Sequence, residues 1–510
     1  MPEARWVPRT RSDRLIVAGI VVGAFLVRAV PVLRGGGLDG FLGYDDGVYF
    51  AAAAGLVNGV LPYRDFLLLH PPGIALVLSP FALLAGATDG ATGFAAARLT
   101  FMAIGALNAG LVTLVAGRYG RRAALIGGAL YAVWYAAARA ERTLYLLGPQ
   151  TTLLLVAVLV LMSGRPLRMR RAAVAGVLLG AAVAIQVWAV VPVTVVAVSI
   201  LLGWLGLAGD RRRATIGLLV GAGVALAAVC GPFFAAAPAR FIGYVLTDQI
   251  DRPSLDIGPV TRLRVLEGFS LAGHRSLLAT AVIVGLAVVG AIAVVVVARR
   301  VPAARMWCVL AASETAYLLV APNFFTHYSA WLAPVAAIVL GTAASLAIGA
   351  VERSRRFFRL AQVGAVGVLA AMALFVPRTQ GTVIERTALE TDIRNAGCIS
   401  ADDPELLIVT SGLLRDLRRG CPLIVDPTGT SYDTDRGRLA AGPVGKSRLA
   451  APGYQSAMEE WYDDSNAALF ARGAADGLDP ATREEIADEL PVVVAQGNVT
   501  VMLPGAHPVP

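Results

Sequence analysis

A chain of 510 residues with 57% hydrophobic content and a mean hydropathy of +0.68 carries more apolar surface than soluble cores of that size can bury, so lipid is expected to be its solvent over much of its length. The net charge of +9 does not mark a nucleic-acid binder, because the arginines stand in short clusters between apolar runs and the last 130 or so residues are net acidic. A basic membrane body followed by an acidic polar tail is the organisation this pattern implies.

Apolar runs of roughly 17–25 residues cross about 30 Å of hydrocarbon. The first, residues 15–33, follows Arg5, Arg9, Arg11 and Arg14 and lacks a small-residue cleavage pattern, which predicts a retained signal anchor. Further spans are expected at 93–116, 123–139, 149–163, 172–187, 189–207, 214–235, 276–298, 305–321, 329–350 and 360–376. With a cytoplasmic N-terminus, the clusters Arg118/Arg121/Arg122, Arg165/Arg168/Arg170/Arg171, Arg211/Arg212/Arg213, Arg299/Arg300/Arg305 and Arg353/Arg355/Arg356/Arg359 all face the cytoplasm, as the positive-inside rule requires.

One apolar run, residues 71–86, would reverse every later loop if it crossed the membrane, so it is expected to lie on or dip into the outer surface. Residues 34–92 then form one long outer loop. The expected fold class is an α-helical polytopic protein of the plasma membrane with about 11 transmembrane helices and surface helices in its first outer loop. Its membrane domain covers residues 1–377, and a small extracytoplasmic α/β domain covers 378–510.

In that tail, β-like runs fall at 406–410, 422–426, 491–495 and 499–503, with helix-like stretches at 382–396, 412–419, 454–471 and 480–489. Cys398 and Cys421 are a disulfide candidate in an oxidising exterior, whereas Cys230 and Cys308 sit in spans as apolar packing residues.

Acidic residues gather on the outer side. The densest cluster is Gly43-Tyr44-Asp45-Asp46-Gly47, followed by Pro62-Tyr63-Arg64-Asp65 and His70-Pro71-Pro72-Gly73. A carboxylate here can take a proton from an acceptor hydroxyl, bind a divalent cation, or simply cap a helix over 47–58. The second outer loop adds Arg139, Glu141, Arg142 and Tyr145. Arginines at an outer membrane surface suit a phosphate head group, although snorkelling places them there as well. Glu314 inside a span is a functional candidate by its position, as are His327 and Tyr328 at an outer span end. The 236–275 loop, with Asp248, Asp251, Arg252 and Asp256, is either a plain connection or a place for lipid tail or acceptor.

The order of these features resembles the GT-C class of membrane glycosyltransferases, and within it the protein O-mannosyltransferase and aminoarabinose transferase group, glycosyltransferase family 39. The family's acidic pair is matched by Asp45-Asp46. Its His-Pro-Pro-Leu-Gly-Lys turn is matched in part by His70-Pro71-Pro72-Gly73, without the lysine, and its arginine at the start of the second span by Arg98. Arg139 and Glu141 stand where the family has an arginine and an acidic residue. The resemblance covers roughly the first 200 residues and the segment 323–334, and not the tail.

The resemblance implies transfer of a mannose or arabinose type sugar from a polyprenyl-phosphate carrier to a glycan, glycolipid or protein hydroxyl, on the outer face and with inversion. Asp45 would be the general base and Asp46 would orient sugar or acceptor. Arg64, His70, Arg139 and Arg142 would neutralise the departing phosphate. Beyond a divalent cation at the acidic pair, no cofactor is implied. A transporter or flippase of lipid-linked sugars is the alternative, but it predicts internal repeats and more mid-membrane ionisable residues than Glu314. A non-catalytic assembly subunit would leave Asp45 and Asp46 without a task.

Overall fold

The computed structural model describes residues 6–163, 166–250, 252, 257–267, 276–351, 379–436, 438, 439 and 444–505. The chain divides into two compact units, one of Met1–Pro31, Thr100–Val229 and Ile257–Arg378, the other of Val32–Leu99, Cys230–Asp256 and Thr379–Pro510. The expected last span at 360–376, its arginine cluster and the domain boundary at 377 lie outside the described residues.

Five described helices are long and apolar enough to cross a membrane: Arg11–Leu33 (α1), Gly90–Tyr119, Arg211–Ala236, Leu277–Arg300 and Ala333–Ala350. The α-helical part of the second, Gly90–Ala116, is α4. The expected spans 123–139, 149–163, 172–187, 189–207 and 305–321 appear as shorter helices: Arg121–Val133 (α5), Leu147–Met162 (α7), Met169–Ile185 (α8), Val190–Leu201 (α9) and Arg305–Val320. At 1.5 Å per residue these reach about 18–26 Å. Two breaks fall among them. Trp134 leaves the helix with ψ 113° before the short helix α6 (Tyr135–Ala140), and Gln186 turns extended, with φ −148°, before α9.

Within the first unit, small residues let helices meet backbone to backbone. A Cβ at Gly176 or Gly180 of α8 would fall 2.0 Å from the Leu218 carbonyl oxygen or 2.4 Å from that of Ala222, both on the Arg211–Ala236 helix (α10). This Gly-x-x-x-Gly pair is the small-residue contact that membrane helices use where the hydrophobic effect cannot drive their association.

Within the second unit, the acidic-pair segment becomes helix Tyr44–Val57 (α2) and the 71–86 run becomes Gly73–Ala87 (α3). The glycines before α2 are dictated by close approach: a Cβ at Gly40 would sit 2.5 Å from the carbonyl oxygen of Thr382, where Phe41 and Thr382 form an isolated antiparallel bridge. The tail builds a four-stranded sheet in the order β1-β2-β4-β3, from Ile399–Ala401, Ala467–Phe470, Val492–Gln496 and Val499–Leu503. β1 and β2 run parallel; the other pairs are antiparallel.

Three tail expectations are corrected. Residues 406–409 belong to helix Pro404–Val409 and Thr410 is its C-cap, so no strand forms there; Asp403 caps the helix by accepting from Glu405 N at 3.0 Å and Pro404 occupies its first turn. The stretch 454–471 is helical only over Pro452–Asp463, and its end is β2. Residues 422–426 are irregular. Cys398 and Cys421 are joined by a disulfide with 5.7 Å between their Cα atoms.

Candidate active site

Helix α2 begins at Tyr44, and its N-cap is Gly43, which makes no side-chain cap bond. Asp45 and Asp46 therefore lie inside the first turn and do not cap it. Carboxylates there face the positive end of the helix dipole, yet the two environments differ completely.

Asp46 is fully buried and ion-paired to Arg98 of α4, whose Nε donates to Asp46 Oδ2 at 3.0 Å. The same guanidinium donates through Nη2 to Glu405 Oε1 at 2.7 Å and through Nη1 to the Leu38 and Gly40 carbonyls at 2.8 and 2.7 Å. It also lies 4.0 Å from the centre of the Phe94 ring. Glu405 accepts in turn from the backbone N–H groups of Leu42 and Gly43. Burial, together with the nearby Asp403 and Asp46 charges, pushes the Glu405 carboxyl well above its ordinary range, while Arg98 opposes that rise. Gly47 permits this packing, since a Cβ there would fall 2.6 Å from Glu405 N.

Asp45, in contrast, is half-buried. Burial first, then the charges of Asp426 and Asp46, raise its carboxyl to about 7, against the lowering effect of Arg252 and Arg472. Its neighbour Tyr44 donates a 2.7 Å hydrogen bond to Asp426 Oδ1. Arg252 lies over the Tyr432 ring, with Cζ 5.1 Å from the centroid, and Asp248 pairs with Arg436 at 3.1 Å. Asp251 and Asp256 lie outside the described residues.

The other expected site residues are placed as follows. Arg64 is exposed and holds its own neighbour Asp65 through two bonds of 2.7 and 2.8 Å. His70 sets its ring edge-on to Tyr49, 5.6 Å between centroids, and its carbonyl accepts from the Tyr63 hydroxyl at 2.7 Å. In the first unit, Glu141 is buried and engaged on both oxygens. Arg28 donates to Oε2 through Nε at 2.8 Å and Nη2 at 2.5 Å, while Asn108 at 3.0 Å and Tyr131 at 2.6 Å donate to Oε1. Arg142 is fully buried, with Nη2 donating to the Val27 carbonyl at 2.7 Å. Arg139 is exposed and donates weakly to the Tyr135 hydroxyl at 3.4 Å.

His327 stacks on Tyr145 with 4.2 Å between centroids, and Tyr328 meets Trp188 edge-on at 4.4 Å. Glu314 is buried, and both of its oxygens lack a hydrogen-bond partner among the described residues. No group of three or more His, Cys, Asp or Glu side chains is placed to hold a metal among the described residues.

The structure thus brings Asp45, Asp46 and Arg98 together in one unit, with three residues that sequence reasoning missed, Glu405, Asp426 and Arg472, the last two meeting on Tyr44. Arg28 was missed too, although an arginine inside the first span is a signal in its own right.

No family model and no curated protein sequence matches the chain. Solved structures do. ArnT from Cupriavidus metallidurans bound to undecaprenyl phosphate is similar at 17% identity and a TM-score of 0.58, covering 97% of this chain and 98% of that one. The archaeal oligosaccharyltransferase AglB from Archaeoglobus fulgidus, in complex with an inhibitory peptide and a dolichol-phosphate, is similar at 12% identity and a TM-score of 0.56, covering 98% of this chain and 74% of that one. ArnT is an aminoarabinose transferase, and both neighbours have the GT-C glycosyltransferase fold. Similarity along nearly the whole chain, tail included, shows that this chain has the GT-C fold as well.

Proposed function

We propose that the chain is a glycosyltransferase that takes a sugar from a polyprenyl-phosphate carrier and joins it to an acceptor hydroxyl on the outer face of the plasma membrane. The observation that carries this reading is the contrast between two adjacent carboxylates. Asp46 is consumed by a buried ion pair, whereas Asp45 is half-buried and sits near 7, where a carboxylate serves as a base at neutral pH. The undecaprenyl phosphate bound to ArnT and the dolichol-phosphate in the AglB complex support the carrier class.

In the proposed step Asp45 takes the acceptor hydroxyl proton as that oxygen bonds to the anomeric carbon. The bond from that carbon to the phosphate oxygen breaks, and polyprenyl phosphate leaves with the bonding pair, inverting the centre. Asp46 belongs to the scaffold and not to the sugar. Among the cations available to the departing phosphate, Arg64 must first loosen its hold on Asp65, and His70 follows six positions later in the same loop. The sugar is of mannose or arabinose type, and the acceptor is a glycan, glycolipid or protein.

The test is transfer of labelled sugar from polyprenyl-phosphate mannose or polyprenyl-phosphate arabinose in proteoliposomes across pH. Because the deprotonated form is the base, the rate should rise with pH through about 7 and level above it. Absence of transfer from both donors at every pH would sink the reading.

We further propose the eleven-span arrangement, with a cytoplasmic N-terminus, a membrane domain over 1–377 and an extracytoplasmic domain over 378–510. The arginine clusters support it. In intact cells a membrane-impermeant maleimide should label Asp65→Cys and leave Arg121→Cys unlabelled. Labelling of the latter from outside would exclude eleven spans in this orientation.

A further inference from the structure

The tail does more at this site than brace it. Tyr44, one residue before Asp45, reaches a turn 382 residues later, where its hydroxyl donates to Asp426 Oδ1 at 2.7 Å and accepts from Thr428 N at 2.9 Å. That carboxylate oxygen is fixed in place by Gly429 N at 2.7 Å and the Thr428 hydroxyl at 3.1 Å. The face of the same tyrosine ring carries Arg472, whose Cζ lies 4.0 Å from the centroid. Arg472 is anchored through its own backbone, which donates to Asp402 Oδ2 at 2.7 Å just after β2. A carboxylate and a guanidinium from two distant parts of the tail thus converge on the residue that precedes the base.

The charged groups of the described residues that act on Asp45 include Asp46 on its own helix, Arg252, and this pair, Asp426 and Arg472. Asp402 and Asp403 act on Arg472 in turn. Nearby negative charge makes a carboxylate hold its proton to higher pH, and nearby positive charge does the reverse. We propose that Asp426 and Arg472, which close on Tyr44 from two distant parts of the tail, are positioning residues for Asp45, the first setting a negative charge and the second a positive charge beside the base. This rests on the reading of Asp45 as the base of transfer, and it gives the tail a defined chemical task.

The measurement needs no donor. In the detergent-solubilised full chain, N,N′-dicyclohexylcarbodiimide modifies protonated carboxyls in apolar surroundings. Mass spectrometry, with fragmentation that locates the label on Asp45, then gives a labelling midpoint. The midpoint should lie near pH 7 in the parent. Asp426→Asn, which keeps an oxygen for the Tyr44 hydroxyl, should lower it by about one unit, and Arg472→Gln should raise it by about one unit. Tyr44→Phe, which removes the hydrogen bond but leaves both charges, should move it less than either.

A variant that merely unfolds would drift toward an ordinary aspartate, near 3.9, whichever residue was changed. Opposite shifts therefore cannot come from misfolding. Midpoints that stay put in both charge variants, or that move the same way, overturn the proposal. So does failure of Asp45 to label at any pH between about 5 and 9. A wild-type rate from Asp45→Asn in the transfer assay would remove the base role while leaving the titration result standing, so the two failures are distinguishable.

Discussion

Arg98→Ala is expected to destabilise the second unit by ~3–5 kcal/mol, enough to leave much of it unfolded in detergent. The cost does not come from one lost contact. Arg98 sits at zero exposure and makes four hydrogen bonds, two to carboxylates and two to carbonyls. Removing it strands Asp46 and Glu405 as buried acids with no cation, and leaves the Leu38 and Gly40 carbonyls short of a donor. Arg98→Lys should fare little better, because an ammonium cannot spread its donors over four acceptors in the planar fork the site requires.

Adding Asp46→Asn and Glu405→Gln to Arg98→Ala should recover part of the loss, with a coupling of at least about 1 kcal/mol in the corresponding cycle. Thermal unfolding followed by gel filtration, alongside limited proteolysis of the tail, measures both effects. An unchanged midpoint in Arg98→Ala would show that the triad does not hold the unit together.

What could be read from the sequence follows from what is local. Asp45 and Asp46 are adjacent in the chain, and the arginine clusters alone give the expectation that residues 34–92 form a single outer loop. The helices α2 and α3 followed, because each carries a long apolar stretch whose start is marked by glycine or proline, Gly43 before α2 and Pro72 before α3. Arg98 came only through resemblance to a family.

The remainder of the site was hidden because its residues become neighbours only through the tail's topology. Glu405 belongs to the helix after β1, and Arg472 follows β2, which pairs in parallel with β1 from more than sixty residues away. Asp426 sits in an irregular turn with no periodicity to announce it. The error at 406–410 has a similar cause. Leu-Leu-Ile-Val reads as a strand by side-chain type, but the Asp403-Pro404 start signal immediately before it sets the backbone first. β2, Ala-Ala-Leu-Phe, carries almost no strand preference and is a strand because the sheet needs a central member there.

Asp45→Asn is expected to lower transfer by 10²–10⁴-fold, the range that removal of a general base commonly costs, while leaving the folded state intact. Asp45 is half-buried, and its ionised form is disfavoured by burial and by Asp426 and Asp46, so replacing it with a neutral amide relieves repulsion. Stability at neutral pH should therefore hold or rise slightly. The same exchange at Asp46 strips a charge from the Arg98 pair and should cost stability as well as rate.

The two neighbouring aspartates are thus separated by a pair of readouts, turnover of labelled polyprenyl-phosphate sugar and thermal midpoint. Asp45→Asn should lose the first and keep the second, and Asp46→Asn should lose both. The base also carries a pH signature: any residual transfer in Asp45→Asn should no longer rise through about pH 7, since the group that titrated there is gone. A residual activity that kept the parent's pH profile would assign the base to another residue, and a neighbouring carboxylate would then have to take the proton from the acceptor.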